Sequence, residues 1–210
     1  FFFLGLNIVE AQYLGPTEFQ RVDVVTGLSN STTFKFSPDG RMFILDRIGG
    51  EVVVYRPDAQ SKVSAGTLSV FSDLEDGLVG IAIDPNFATN NYIYLHYSPL
   101  GFVGNRVSRF TMIGDQMEMS SEVVLLQWST QRNNYYHAAG DMEFDSQGNL
   151  YIATGDNSNH SDYALLDETD PDQSAENTSS NTNDLRGKVL RITPQPDGSY
   201  TIPPGNLFPV

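Results

Sequence analysis

Three times along this chain a short apolar run crosses a polar turn and resumes as a second apolar run. The first copy is Phe34-Lys35-Phe36-Ser37-Pro38-Asp39-Gly40-Arg41-Met42-Phe43-Ile44-Leu45-Asp46, followed by Gly49-Gly50-Glu51 and the alternating Val52-Val53-Val54-Tyr55. The second is Ile81-Ala82-Ile83-Asp84-Pro85-Asn86-Phe87, then Asn90-Asn91 and Tyr92-Ile93-Tyr94-Leu95-His96-Tyr97. The third, Met142-Glu143-Phe144-Asp145-Ser146-Gln147-Gly148-Asn149, leads into Leu150-Tyr151-Ile152-Ala153-Thr154-Gly155-Asp156. Each reads as a β-hairpin: Gly40 and Gly148 supply a turn residue of positive φ in the first and third copies, and in all three Tyr, Ile, Val and Phe suit pleated, half-buried strands. Anchored on Ser37, Asp84 and Asp145, the copies are spaced by 47 and 61 residues. That is the span of one four-stranded propeller blade with its loops. Helical periodicity is nearly absent, with room for a turn or two over residues 161–168.

An open row of blades exposes sheet faces and strand edges, so a stable propeller must close, which takes at least about four blades. At about 50 residues per blade, this all-β chain is expected to supply roughly four. A plain β-sandwich is the alternative that the period leaves open.

Composition removes other function classes. With 12 Lys plus Arg against 26 Asp plus Glu, the net charge of −14 opposes phosphate neutralisation, so no nucleic-acid partner is expected. The absence of Cys excludes thiolate metal sites, cysteine nucleophiles and disulfide scaffolds. An apolar fraction of 40% without a long apolar run describes a core-forming globule with no membrane span.

The first residues, Phe1-Phe2-Phe3-Leu4-Gly5-Leu6-Asn7-Ile8-Val9-Glu10-Ala11-Gln12, resemble the back half of a signal peptide, with small residues before a cleavage point near Gln12. Residues 1–11 are thus expected to be a signal-peptide remnant, and residues 12–210 a partial propeller truncated at its C-terminus. Between Asp156 and Asp184 lie 29 residues with eight acidic side chains and no Lys or Arg, a long loop rich in hard oxygen ligands of the kind Ca²⁺ takes. A solvated insertion is the plainer account of that loop.

Three His residues are candidates for chemistry. His96 lies in an alternating strand and reads as a packed residue, and His160 sits in the polar loop. His137 precedes the first strand of the third hairpin, while Asp156 follows the second, so the hairpin brings them together. A carboxylate on one imidazole nitrogen fixes the tautomer and raises basicity, as a general base requires. Two independent polar loop residues are the alternative.

At these residues the chain resembles the glucose/sorbosone dehydrogenase family, soluble PQQ-dependent sugar dehydrogenases built as six-bladed β-propellers. The motifs are Phe36-x-Pro38-Asp39-Gly40-Arg41, Asp76-Gly77-Leu78-Val79-Gly80-Ile81-Ala82-Ile83-Asp84-Pro85-Asn86-Phe87, Val107-Ser108-Arg109-Phe110, His137-x-x-Gly140, the run ending in Gly155-Asp156, Gly187-Lys188-Val189-Leu190-Arg191-Ile192, and Asn206-x-Phe208. They occur in family order, and residues 175–188 further resemble large secreted bacterial members.

The resemblance implies oxidation of an aldose at its anomeric carbon, with hydride passing to PQQ and a soluble acceptor taking the electrons onward. It makes His137 the general base and Asp156 its orienting partner. Glu75 and Asp76 fall at the substrate-binding position, and Tyr136 stands where some glucose-oxidising members carry an acid. It also implies a Ca²⁺ ion that binds PQQ and polarises its quinone, a secreted or periplasmic location, and cofactor ligands in later blades, past Val210. The fragment alone is then expected to be inactive. A non-enzymatic carbohydrate- or protein-binding propeller and a calcium-dependent sugar-lactone hydrolase are the competing functions.

Overall fold

The structure, a computed structural model, describes residues 21–133, 136–158 and 174–207. The signal-peptide segment, His160 and residues 161–168 lie outside the described residues.

The fold is all-β. Strands β1 (Ser31–Phe36), β2 (Met42–Asp46), β3 (Glu51–Arg56) and β4 (Ser61–Thr67) form one antiparallel sheet in chain order. Strands β5 (Leu78–Ile83), β6 (Tyr92–Tyr97), β7 (Gly104–Ile113) and β8 (Gln116–Ser129) form a second, with the one-turn helix α1 (Phe87–Asn90) inside its first hairpin. Strands β9 (Ala139–Phe144), β10 (Leu150–Thr154), β11 (Val189–Pro194) and β12 (Tyr200–Thr201) form a third, with α2 (Ala175–Ser179) between β10 and β11.

The three hairpins legible in the sequence are the first two strands of each sheet. Their turns close by the chemistry of their acidic residues. Asp145 accepts the N–H groups of Gln147 and Asn149, each at 2.9 Å, ahead of Gly148 at φ 81°. Asp84 takes the Asn86 N–H at 2.8 Å and the Tyr94 hydroxyl at 2.9 Å, so the α1 hairpin is pinned from both sides.

Period-two alternation then builds two cores from one middle sheet. Ile93 and Leu95 of β6 point to the first sheet and pack with Phe43, Leu45, Val52 and Val54. Tyr94, between them, points to the third sheet and packs with Met142, Leu150 and Ile152. Each fully buried side chain of this kind contributes about 1.5–3 kcal/mol, so the middle sheet is stable only with a neighbour on each face. The first strands β1, β5 and β9 lie side by side along the inner edge, where Lys35 Nζ of β1 reaches Glu143 Oε2 of β9 at 2.6 Å. This is the arrangement of propeller blades about an axis.

Two expectations need correction. Among the described residues there are three four-stranded sheets, where residue arithmetic gave about four blades. The difference goes into long elements: β8 alone takes 14 residues and β7 takes 10, and the acidic stretch occupies most of the β10–β11 connection. Nor is that stretch wholly irregular, since α2 forms within it, its Asn177 N–H capped by the Ser174 hydroxyl at 3.3 Å.

Candidate active site

In an up-and-down sheet the connection after each second strand and the connection between sheets emerge at the same end. Residues 47–50, 68–77, 130–133, 136–138 and 155–158 therefore gather on one face, and His137, Asp156 and Glu75 all lie there.

The predicted dyad is present as a contact. His137 Nδ1 lies 3.0 Å from Asp156 Oδ1, with the imidazole 41% and the carboxylate 21% exposed. The same Oδ1 accepts the Ser158 N–H and the Ser158 hydroxyl, both at 2.9 Å. Burial pushes the Asp156 carboxyl up, but the Ser158 bonds and the His137 bond outweigh it and hold it below the ordinary range. An ionised Asp156 favours the tautomer with hydrogen on Nδ1, which makes Nε2 the basic nitrogen of the ring.

The turn carrying His137 is conformationally costly. His137 sits at φ 58° and Ala139 at φ 55°, a left-handed region that costs about 1–2 kcal/mol per non-glycine residue. Contacts from three directions hold it. Tyr136 N–H donates to Ser158 O at 2.9 Å. Gln131 and Asn157 pair as two short backbones would, with Gln131 N–H on Asn157 Oδ1 at 2.7 Å, Asn157 Nδ2 on Gln131 O at 3.2 Å and Gln131 Nε2 on Asn157 O at 2.9 Å. From the β4–β5 connection, Glu75 Oε2 accepts the N–H of His137 at 2.5 Å and that of Ala138 at 3.2 Å. Behind the dyad, buried Thr178 of α2 donates to Asp156 O at 3.0 Å, which gives the acidic segment a structural role.

Glu75 is thus brought beside His137, while the side chain of its neighbour Asp76 is buried away from His137. Asp76 is 2% exposed, accepts the Ser98 hydroxyl at 2.8 Å and lies 3.7 Å from Arg132 Nε. Burial raises its carboxyl, with Ser98 and then Arg132 acting against that rise. Glu75 lies in a turn that the Asp76 N–H closes onto Asp73 O at 3.0 Å, with Leu74 at φ 48°, and the two adjacent carboxylates end on different partners, Glu75 on the His137–Ala138 amides and Asp76 on Ser98.

His96 is the packed residue the sequence suggests. It is fully buried, with Nδ1 3.3 Å from Gly140 O and its ring 5.1 Å from that of Trp128. Burial drives its imidazole down to about 4, only partly opposed by the Gly140 bond. The sequence reading missed Ser158, the Gln131–Asn157 pair and Thr178. Only Ser158 had a local signal, a hydroxyl two residues past an Asp.

Cofactor fit can be judged from the donor set. PQQ is a tricarboxylate and requires cations, yet the basic side chains of these loops are engaged by the protein. Arg47 donates to Leu74 O at 2.8 Å and Asp76 O at 2.6 Å, and Arg132 to Phe102 O at 3.0 Å. Arg186 pairs with Asp184 at 2.7 Å, and Lys188 Nζ donates to Thr178 O and Ser179 O at 2.9 and 2.8 Å. No group of three or more His, Asp or Glu among the described residues is placed to hold a metal ion. The described residues therefore do not by themselves fit PQQ or its calcium. No helix among them is long and apolar enough to cross a membrane.

Comparison with known proteins gives consistent results. Residues 28–209 match the family model described as Glucose / Sorbosone dehydrogenase. An aldose sugar dehydrogenase of Escherichia coli is 24% identical over 185 residues, covering 86% of this chain and 44% of the relative. An uncharacterised Synechocystis protein is 25% identical over 210 residues, covering 96% and 48%. Among solved structures, an oxidoreductase (glucose dehydrogenase) from Thermus thermophilus is 28% identical with a TM-score of 0.70, covering 89% of this chain and 50% of that one. The PQQ-bound aldose sugar dehydrogenase of Streptomyces coelicolor shares the fold at 24% identity and a TM-score of 0.68, over 89% and 50%. The chain spans about half the length of these relatives.

Proposed function

The chain belongs to the glucose/sorbosone dehydrogenase family, and from that premise we propose that the full-length protein oxidises an aldose at its anomeric carbon with His137 as general base. The observation that carries this reading is the 3.0 Å contact between His137 Nδ1 and Asp156 Oδ1. Asp156, kept ionised by Ser158, holds the imidazole so that Nε2 can accept the proton of the anomeric hydroxyl. Proton removal by a positioned base accelerates such a step by about 10²–10⁴-fold.

The reaction also requires a two-electron acceptor, which family membership assigns to PQQ with Ca²⁺. Because the described residues do not fit that group, its contacts are proposed to come from further blades of a six-bladed propeller, and this chain alone is proposed to be inactive. A soluble acceptor and export from a bacterial cell complete the proposal.

The test is dye-linked aldose oxidation by the full-length protein, with and without added PQQ and Ca²⁺, comparing wild type with His137→Ala. Activity that needs both additions and falls by about 10²-fold or more in the variant supports the reading. No oxidation of any aldose and no PQQ binding in an absorbance titration would favour a binding propeller. Calcium-dependent lactone hydrolysis without quinone would favour a hydrolase.

A further inference from the structure

The resemblance places Glu75 at a substrate-binding position, yet the geometry gives its carboxylate a different partner. Oε2 accepts two successive backbone N–H groups, those of His137 and Ala138, at 2.5 and 3.2 Å. Successive amides in a left-handed turn form a concave donor pair suited to one anionic oxygen. This turn, with His137 at φ 58° and Ala139 at φ 55°, is a backbone that these residues do not adopt without support.

The segment bearing Glu75 is itself fixed from two sheets. Arg47, in the β2–β3 turn, donates to the carbonyls of Leu74 and Asp76 on either side of Glu75, at 2.8 and 2.6 Å. Asp76 is tied to Ser98 after β6 at 2.8 Å. Gly77 packs so closely on Arg47 that a Cβ there would lie 2.3 Å from its carbonyl oxygen. The carboxylate therefore projects from a rigid base across the seam between the second and third sheets.

We propose that Glu75 is a positioning residue, whose carboxylate clamps the His137–Ala138 amides and so sets where the imidazole stands relative to Asp156. The proposal rests on His137 being the base. It assigns Glu75 an effect on turnover rather than on sugar affinity. A displacement of the base by about 1 Å is enough to cost on the order of 10²-fold in rate.

Two substitutions at this exposed position leave no cavity and separate reach from charge. Glu75→Gln keeps an acceptor oxygen at full reach, and Glu75→Asp keeps the charge but is one methylene short. In the full-length protein supplied with PQQ and Ca²⁺, E75Q is expected to keep kcat within a few-fold of wild type. E75D is expected to lose about 10- to 100-fold in kcat with little change in KM for the sugar. Independently of activity, the ring ¹⁵N resonances of His137 should report the Nδ1-protonated tautomer in wild type and E75Q, and a tautomer mixture in E75D.

Three results would overturn the proposal: a rise in KM at constant kcat in both variants, a loss in E75Q as large as in E75D, or an unchanged tautomer in E75D. If His137→Ala retains full activity, the base reading fails by itself, and the tautomer comparison still decides whether Glu75 clamps the turn.

Discussion

The carbonyl oxygen of His137 lies so close to Gly155 that a Cβ on residue 155 would stand 1.3 Å from it. The two ends of the β9–β10 hairpin meet there without room for a side chain, and the contact brings the Asp156 carboxylate within reach of the His137 ring.

Gly155→Ala must push the His137 loop and the Asp156 loop apart, since the obstacle is backbone and cannot rotate away. We expect a loss of roughly 2–4 kcal/mol in urea unfolding and, on the proposed function, a fall of about 10²-fold in aldose oxidation by the full-length protein. A stable and fully active G155A would mean that the loops can separate without cost to the site.

Asp156→Asn keeps the shape but removes the charge that favours hydrogen on Nδ1. The amide can present its NH₂ to the ring instead, which selects the opposite tautomer and blocks the proposed base. In the full-length protein a loss of about 10²–10⁴-fold in kcat for the proposed oxidation, with KM nearly constant, is expected, while the folded fraction by circular dichroism stays at the wild-type level. Ser158→Ala should show a weaker form of the same defect, because one of the two Ser158 bonds to Oδ1 remains.

His96 makes stability depend on pH. Its folded-state value, about 4, lies below the ordinary histidine value near 6.5, so the unfolded chain binds the proton first. The neutral ring is accommodated fully above pH 6.5, and stability is lost as the pH falls from there toward 4. The urea midpoint of wild type should drop between pH 7.5 and pH 5. His96→Asn can still donate to Gly140 O but does not titrate, and is expected to be less stable at neutral pH yet flatter across that interval. A wild-type slope that persists in H96N would assign the effect to another group.

The sequence made the hairpins legible because their turn chemistry is local: Asp39-Gly40, Asp84 to Asn91 and Asp145 to Gly148 each settle a turn within a few residues. It made His137 and Asp156 legible for the same reason, since a hairpin places the residue before one strand beside the residue after the other. What escaped was non-local. Glu75 meets His137 across 62 residues of chain, and nothing in Glu75-Asp76 tells which carboxylate faces inward until the sheets are packed. Blade number escaped because strand length is set by pairing: β7 and β8 lengthen each other through bulges that no short motif marks.

The buried Asp76–Arg132 pair gives a prediction of opposite sign to that of His96. Arg132 Nε stands 3.7 Å from Asp76 Oδ2, with its guanidinium 3.8 Å over the Phe71 ring. Its carbonyl contacts tie residues 131–133 to the β6–β7 loop. Arg132→Gln removes the cation and leaves Asp76 buried with Ser98 as its main partner. Breaking such a pair by removing one member costs about 3–5 kcal/mol. Asp76 is already raised by burial, and losing a nearby positive charge raises it further. A carboxyl raised above its unfolded value stabilises the fold most below that value, and the benefit disappears as the pH rises through the folded one. The deficit of R132Q relative to wild type, measured by urea midpoints, should therefore be largest at neutral pH and shrink toward pH 4, whereas a deficit that stays constant with pH would show that Arg132 acts only through its packing and its carbonyl bonds.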